Sequence, residues 1–257
     1  MQKLPQLAVQ LYTVRKSLTS MNEIKDSLKR VKDIGYNSVQ LSGLGPHEPQ
    51  ELAKLLKDYG LSVAGTHVGF DSLKKDPEKV IREHHMYETR HIVIPSLPAK
   101  YYTEEGLREL VNELRPLSKI IRDAGLKLSF HNHNRELVRI GKQTWLDLLY
   151  TTMTEEELGA ELDTYWIQAG GGDPADWIMR YKSRVWIIHL KDMRVTVDGK
   201  QQFAEVGEGN LNWKRIREAI NNSTAEFLAV EQDDCYDRNP FESLRISYKN
   251  LTEWGYK

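Results

Sequence analysis

Leu52-Ala53-Lys54-Leu55-Leu56-Lys57-Asp58-Tyr59-Gly60-Leu61-Ser62-Val63-Ala64-Gly65-Thr66-His67 contains the repeating unit of the chain. Leu52, Leu55, Leu56 and Tyr59 recur at helical spacing, and residues 61–67 form an apolar run of strand length. Gly60, between them, tolerates the left-handed backbone that ends a helix and feeds the chain into a strand. The same junction returns as Ile34-Gly35-Tyr36 and as Ala124-Gly125-Leu126.

Working outward, the alternation continues in both directions. Strand-like runs fall at 7–12, 38–41, 61–67, 91–94, 126–131, 159–163, 185–189 and 227–231. Between them lie helical patterns: Ile24, Leu28 and Val31; a charged segment at 77–87; Leu107, Leu110, Val111 and Leu114; Trp145, Leu148 and Leu149; and a last helix at 240–254. Strands separated by helices must run parallel, because each crossover has to return the chain to the same end of the sheet. Eight such units predict an α/β protein closed into a (β/α)8 TIM barrel, a single domain over residues 1–257. A chain of 257 residues matches the size of one such barrel.

Composition narrows the function classes. Lys and Arg number 36 against 37 Asp and Glu, so there is no basic excess to attract nucleic acid or an anionic membrane. Cys235 is the only cysteine, which excludes an internal disulfide and points to a reducing compartment. The opening Met1-Gln2-Lys3-Leu4-Pro5-Gln6 has no apolar signal core, and no apolar run is long enough to span a bilayer. The expectation is a cytoplasmic enzyme with a small-molecule substrate, no nucleic-acid or membrane partner, and self-association as a homo-oligomer left open.

Polar residues gather where the strands end. These are Gln10 and Tyr12 on strand one, Gln40 on two, His67 on three, and His131, Asn132 and His133 on five. Asp163 ends strand six, His189, Lys191 and Asp192 end seven, and Glu231, Gln232 and Asp233 end eight. The C-terminal strand ends build the active site in this fold. Residues two apart share a face, so His131 pairs with His133, His189 with Lys191, and Glu231 with Asp233. Imidazole mixed with carboxylate suits Mn2+, Zn2+, Co2+ or Fe2+, whereas oxygen-only sets suit Mg2+ or Ca2+. The bland readings stand beside these. A strand-end histidine is commonly a hydrogen-bonded structural group, Asp192 and Asp233 could be helix N-caps, and Tyr165-Trp166 could be wall or core. Convergence of His131, Asp163, His189 and Glu231 at equivalent positions on strands five to eight favours a metal site.

At these positions the chain resembles the sugar phosphate isomerase/epimerase family of the xylose-isomerase-like barrels, a superfamily that also holds endonuclease IV and inosose dehydratase. The resemblance runs through Val9-Gln10-Leu11-Tyr12-Thr13-Val14-Arg15, Phe130-His131-Asn132-His133-Asn134-Arg135-Glu136, Leu162-Asp163-Thr164-Tyr165-Trp166 and His189-Leu190-Lys191-Asp192. It continues in Gly207-Glu208-Gly209 with Trp213 and in Val230-Glu231-Gln232-Asp233. It implies one divalent ion (Mn, Zn, Co, Fe or Mg) on Asp163, His189 and Glu231. His131 stands where the family usually has glutamate, and serves either as a fourth ligand or as an acid/base group.

The implied activity is a metal-dependent isomerase or epimerase of carbohydrate metabolism, moving a proton on a carbon beside a metal-bound carbonyl of a sugar or keto-sugar. Glu231 and His131 would handle the proton. Glu136 would either return a carboxylate to the site or act as a loop residue, and Lys191 would either bind the developing oxyanion or be solvated. His67 would contact a sugar hydroxyl and Trp166 would wall a sugar face, with Gln10, Tyr12, Gln40 and His133 completing the substrate site. The alternatives are a lyase on the same site, either a dehydratase of inosose type or an enzyme eliminating from a 3-keto-glycoside, and a DNA repair enzyme resembling endonuclease IV. The last is disfavoured by the absence of a basic surface excess.

Overall fold

The computed structural model describes residues 4–257; Met1–Lys3, part of the segment read above for a signal core, lie outside the described residues. Eight parallel strands close on themselves: β1 (Gln6–Gln10), β2 (Ser38–Leu41), β3 (Ser62–His67), β4 (His91–Ile94), β5 (Lys127–His131), β6 (Gly159–Asp163), β7 (Val185–Leu190) and β8 (Phe227–Val230). Each pairs with its neighbours in chain order, and Gln6–Val9 of β1 meets Phe227–Val230 of β8 to close the ring. The fold is therefore the (β/α)8 barrel that the alternation predicts. Gly60 and Gly125 have positive φ at their helix-to-strand junctions.

Period two along the strands sorts side chains between two environments. Leu7, Val9, Leu162, Ile188, Leu228 and Val230 join the main core against the helices. Ala8, Ala64, Val93, Ile187 and Ala229 form a separate apolar cluster with Phe227 packed against it. That inner filling grows polar toward the C-terminal end: Phe227 and Ala229 give way to Glu231 on β8, and Ile187 to His189 and Lys191 on β7. Small apolar residues in the centre let the chain close a tight barrel, and the polar residues collect at one mouth.

Local structure departs from the alternation at several places, some of them at the mouth or on the connections beside it. Strand one stops at Gln10, and Leu11–Ser17 is a 3-10 helix, because the Gln10 side chain accepts the Tyr12 N–H and turns the chain. Tyr12 therefore sits on a turn above the mouth. Between β6 and β7 the chain forms two short helices, Thr164–Ala169 and Pro174–Arg180. After β7 it forms an antiparallel ribbon, Asp192–Val195 with Gln201–Ala204. Among the described residues, no helix is long and apolar enough to cross a membrane.

Candidate active site

The mouth of the barrel holds a cavity of about 440 Å3, walled in part by Tyr12, His67, His131, His133, Trp166, Lys191, Glu231 and Asp233. At its floor, one nitrogen or oxygen from each of His131, Asp163, His189 and Glu231 lies within 4.8 Å of the other three. All four residues are buried.

Each is oriented by local structure. Asp163 is an N-cap: its Oδ1 accepts the Trp166 N–H at 2.9 Å, starting the helix Thr164–Ala169 and turning Oδ2 inward. The Asn132 side chain also accepts the Asp163 N–H at 3.1 Å. His131 Nδ1 lies 3.3 Å from the Pro95 carbonyl, and its Nε2 points at Asp163 Oδ2 from 3.5 Å. His189 Nδ1 lies 2.8 Å from Glu231 Oε2 and 3.8 Å from Asp163 Oδ2. His131 Nε2 and Asp163 Oδ2 are buried without a hydrogen-bond partner, although the Lys191 ammonium pairs with Asp163 Oδ2 from 3.1 Å. Buried polar atoms rarely go unsatisfied, and two that face each other fit a site built for a cation. Two imidazoles and two carboxylates are a donor set suited to a first-row divalent ion.

Lys191 supplies the only lysine charge in this cluster. Its buried ammonium lies 2.8 Å from Glu231, 2.8 Å from Asp233 and 3.1 Å from Asp163. Burial opposes its charge, but Asp163 and Glu231 raise its pKa further above the usual lysine value. Burial would raise Glu231, yet Lys191 and then His189 hold it well below the ordinary carboxylate range. Burial, and then Glu231, push Asp233 up to about 6. Burial and the adjacent His189 lower His131, and burial with His131 lowers His133 to about 3, so both rings favour the neutral form.

The remaining residues singled out in the sequence fall as follows. His67 lines the cavity and contacts Gln10 through its ring. Gln40 is fully buried under the floor, bonded to His189 and Glu161 rather than to the cavity. Glu136 is buried with both oxygens engaged, one by the Tyr102 hydroxyl at 2.5 Å and one by the His133 N–H at 2.8 Å, and it does not line the cavity. Asp192 caps no helix. It accepts the N–H groups of Met193, Gly207, Gly209 and Leu211 and the Trp213 indole, which explains the Gly207-Glu208-Gly209 and Trp213 pattern as a loop clasp. A Cβ at Gly209 would come within 2.3 Å of the Asp192 carboxylate, so only glycine closes that clasp. Two residues not assigned from sequence also belong here. Arg15 lines the cavity, and Glu161 lies beneath its floor with no exposed surface. Glu161 stands two before Asp163 on β6, so strand periodicity already put both on one face.

The family model of xylose isomerase-like TIM barrels matches residues 28–240, and the chain belongs to this family. An inosose dehydratase of Lacticaseibacillus casei is 27% identical over 169 residues, covering 59% of this chain and 55% of that protein. The chain thus matches little more than half the length of that relative. A crystal structure of a sugar phosphate isomerase/epimerase from Parabacteroides distasonis superposes with a TM-score of 0.81 at 19% identity, covering 97% of this chain and 98% of that one. The IOLI protein, crystallised with a zinc atom, superposes with a TM-score of 0.71 at 15% identity over 96% and 97% of the two chains.

Proposed function

We propose that this protein is a divalent-metal-dependent isomerase or epimerase acting on a sugar or keto-sugar by proton transfer on a carbon next to a carbonyl. The observation that carries the reading is the buried four-residue donor set at the floor of the cavity, in which His131 Nε2, without a hydrogen-bond partner, points at Asp163 Oδ2. His131, Asp163, His189 and Glu231 would hold the ion, which when bound would polarise the carbonyl and so acidify the neighbouring C–H.

The side chains then divide the work. Glu231, held ionised, takes the proton, and His131 on β5, where it does not serve as a fourth ligand, is the counterpart that gives a proton to the carbon from its protonated form. The Lys191 ammonium, at the cavity edge between three carboxylates, donates a hydrogen bond to the oxygen on which negative charge grows. Trp166 offers a flat apolar wall, with His133 beside it at a ring separation of 5.3 Å. His67, Tyr12 and the layer of Gln10 and Gln40 position sugar hydroxyls directly or through their neighbours. Glu136 supports the site by holding the His133 backbone.

A second reading has its own support. Relatives named inosose dehydratase favour a lyase on the same residues, in which the carbanion expels a group β to the carbonyl instead of being reprotonated. One experiment separates them. The metal-loaded protein is incubated with a panel of keto-sugars in deuterium oxide. Deuterium on carbon with a new stereoisomer supports the isomerase, and loss of water or of a glycosidic substituent supports the lyase. No exchange and no product across the panel would remove both.

A further inference from the structure

Beneath the four-residue floor lies a second buried cluster with a different character. Glu161 Oε1 is 2.7 Å from His67 Nε2 and 2.9 Å from His189 Nε2. Glu161 Oε2 accepts from Gln40 Nε2 at 2.5 Å, and Gln40 Oε1 lies 2.7 Å from His189 Nε2. The His67 and His189 rings stack with centroids 5.4 Å apart and planes 14° apart.

Donor and acceptor counting fixes the protons. An ionised carboxylate only accepts, so the Gln40 amide must turn its NH2 to Glu161 and its oxygen to His189. His189 Nε2 then faces two acceptors, Glu161 Oε1 and Gln40 Oε1, and must carry hydrogen. Its Nδ1 lies 2.8 Å from the Glu231 carboxylate and so also carries hydrogen when no ion is bound; an ion held by Asp163 and Glu231 would displace that hydrogen and take the Nδ1 lone pair, while Nε2–H stays with Glu161 and Gln40. The same logic gives His67 a hydrogen on Nε2. Its Nδ1 meets only Ser42 Oγ and Gln10 Nε2, each at 3.5 Å, contacts long enough to yield to a stronger donor in the cavity.

The three groups His67, Glu161 and His189 also lie close enough together to hold an ion. Unlike the floor above, however, none of their polar atoms is buried without a hydrogen-bond partner. This cluster is complete as a hydrogen-bond network.

We propose that Glu161 is a positioning residue that sets the tautomers of two histidines on different walls through one oxygen. It presents His189 Nδ1 to the metal and His67 Nδ1 to the cavity, where it accepts from a substrate hydroxyl. The inference rests on the metal-dependent reading of the site for the His189 half. It makes Glu161 the link between metal binding and sugar recognition, since loss of its charge leaves His67 Nε2 without its carboxylate and His189 Nε2 with Gln40 Oε1 alone. Partners of a ligating histidine typically change metal affinity by about 10- to 100-fold when removed.

The test uses zinc alone. Zinc affinity is measured against a competing chelator for the full chain and for Glu161→Gln, with ions per chain counted at saturation. Long-range proton–nitrogen spectra of the zinc-loaded protein, labelled with 15N-histidine, report which ring nitrogen carries hydrogen. The expected result is one ion per chain in both proteins, a dissociation constant about 10- to 100-fold weaker in Glu161→Gln, and Nε2–H on both His67 and His189 in the unaltered chain. Unchanged zinc affinity in a folded Glu161→Gln would overturn the proposal, as would Nδ1–H on either histidine or a second zinc ion per chain. The spectrum of the unaltered chain decides the matter if the variant does not fold. An unaltered chain that binds no zinc would overturn the metal reading together with this proposal. A chain that binds zinc with both tautomers as stated but exchanges no keto-sugar would remove the reaction and leave the role of Glu161 standing.

Discussion

At the base of the barrel, one carboxylate is surrounded by bases: Glu226 meets Lys127 at 2.5 Å, Arg90 at 3.2 Å and the His91 ring at 3.4 Å. At the mouth the ratio is reversed, with one ammonium, Lys191, among Asp163, Glu231 and Asp233. Glu226 and Lys127 are each about one-third exposed, at 32% and 29%, whereas Lys191 is 1% exposed and Asp163 not at all. Charges at the base keep water nearby, so little is lost by pairing them and little is gained. Charges at the mouth have given up water, and Lys191, together with His189, which against burial Glu161 and Glu231 push up to about 10, stands among the four carboxylates Glu161, Asp163, Glu231 and Asp233. That excess of buried carboxylate, with His131 Nε2 left without a hydrogen bond beside it, is compatible with a cation at this point. On the metal-dependent reading, the base serves the fold and the mouth serves a cation and a substrate.

The largest effect expected from breaking this contrast is chemical. Glu231→Gln should lower turnover on the responsive keto-sugar by about 10²- to 10⁴-fold, the scale of a lost general base. Metal content measured on the same sample separates loss of the base from loss of the ion. His131→Gln should fall nearly as far in proton exchange. If metal-loaded His131→Gln exchanges at the full rate, the second proton-handling group has to be sought elsewhere at the mouth.

Next is Lys191→Met. Removing the one ammonium leaves buried carboxylates uncompensated, a change that costs about 3–5 kcal/mol in comparable buried pairs. Chelator-treated protein should show that loss in denaturant unfolding, and zinc should recover a substantial part of it, because a divalent ion supplies the missing charge. An equal loss with and without zinc would mean that Lys191 and the ion do not share the same carboxylates. In the unaltered chain, zinc at a hundredfold excess over its dissociation constant should add about 2.7 kcal/mol, and Asp163→Asn should erase most of that increment.

How far the sequence discloses these two ends follows from how each is encoded. The barrel is legible because glycine junctions and alternating patterns are local signals, repeated along the chain. His131, Asp163, His189 and Glu231 are legible as strand-end residues. Glu161 is harder to see, since it sits inside the run Gly159-Ala160-Glu161-Leu162-Asp163, where an interior carboxylate reads as an interruption. Its partners Gln40, His67 and His189 come from three other strands and are brought together only by closure of the barrel. Asp192 looks like a helix cap because an aspartate after a strand commonly is one. Its clasp on Gly207, Gly209, Leu211 and Trp213 depends on a ribbon whose turn, near Asp198-Gly199, carries a hairpin-like signal in the sequence. The Glu226 cluster is likewise distributed, with partners at the starts of β4 and β5.

The smallest expected effect is at that cluster, and it sharpens the comparison most directly. Glu226→Gln removes the carboxylate that Lys127, Arg90 and His91 face, but the Lys127 and Arg90 charges left behind still reach water. The loss should therefore be about 0.5–1 kcal/mol at neutral pH, less at high salt, with turnover and zinc affinity unchanged. The sign of its pH dependence follows from the shift. The adjacent His91 ring, and then Lys127 against the opposing effect of burial, hold the Glu226 carboxyl below its ordinary range in the folded chain. In the unfolded chain it titrates near about 4.3. The stabilisation is thus fully present above that pH and is lost as pH falls through the lower folded value. Unfolding curves from pH 7 down to pH 3 should show the unaltered chain losing stability more steeply than Glu226→Gln below about pH 4.3. Parallel curves would mean that Glu226 does not stabilise the fold through its charge. A fall in turnover in this variant would mean that the base and the mouth are coupled through the barrel interior, and the division between a structural end and a chemical end would have to be abandoned.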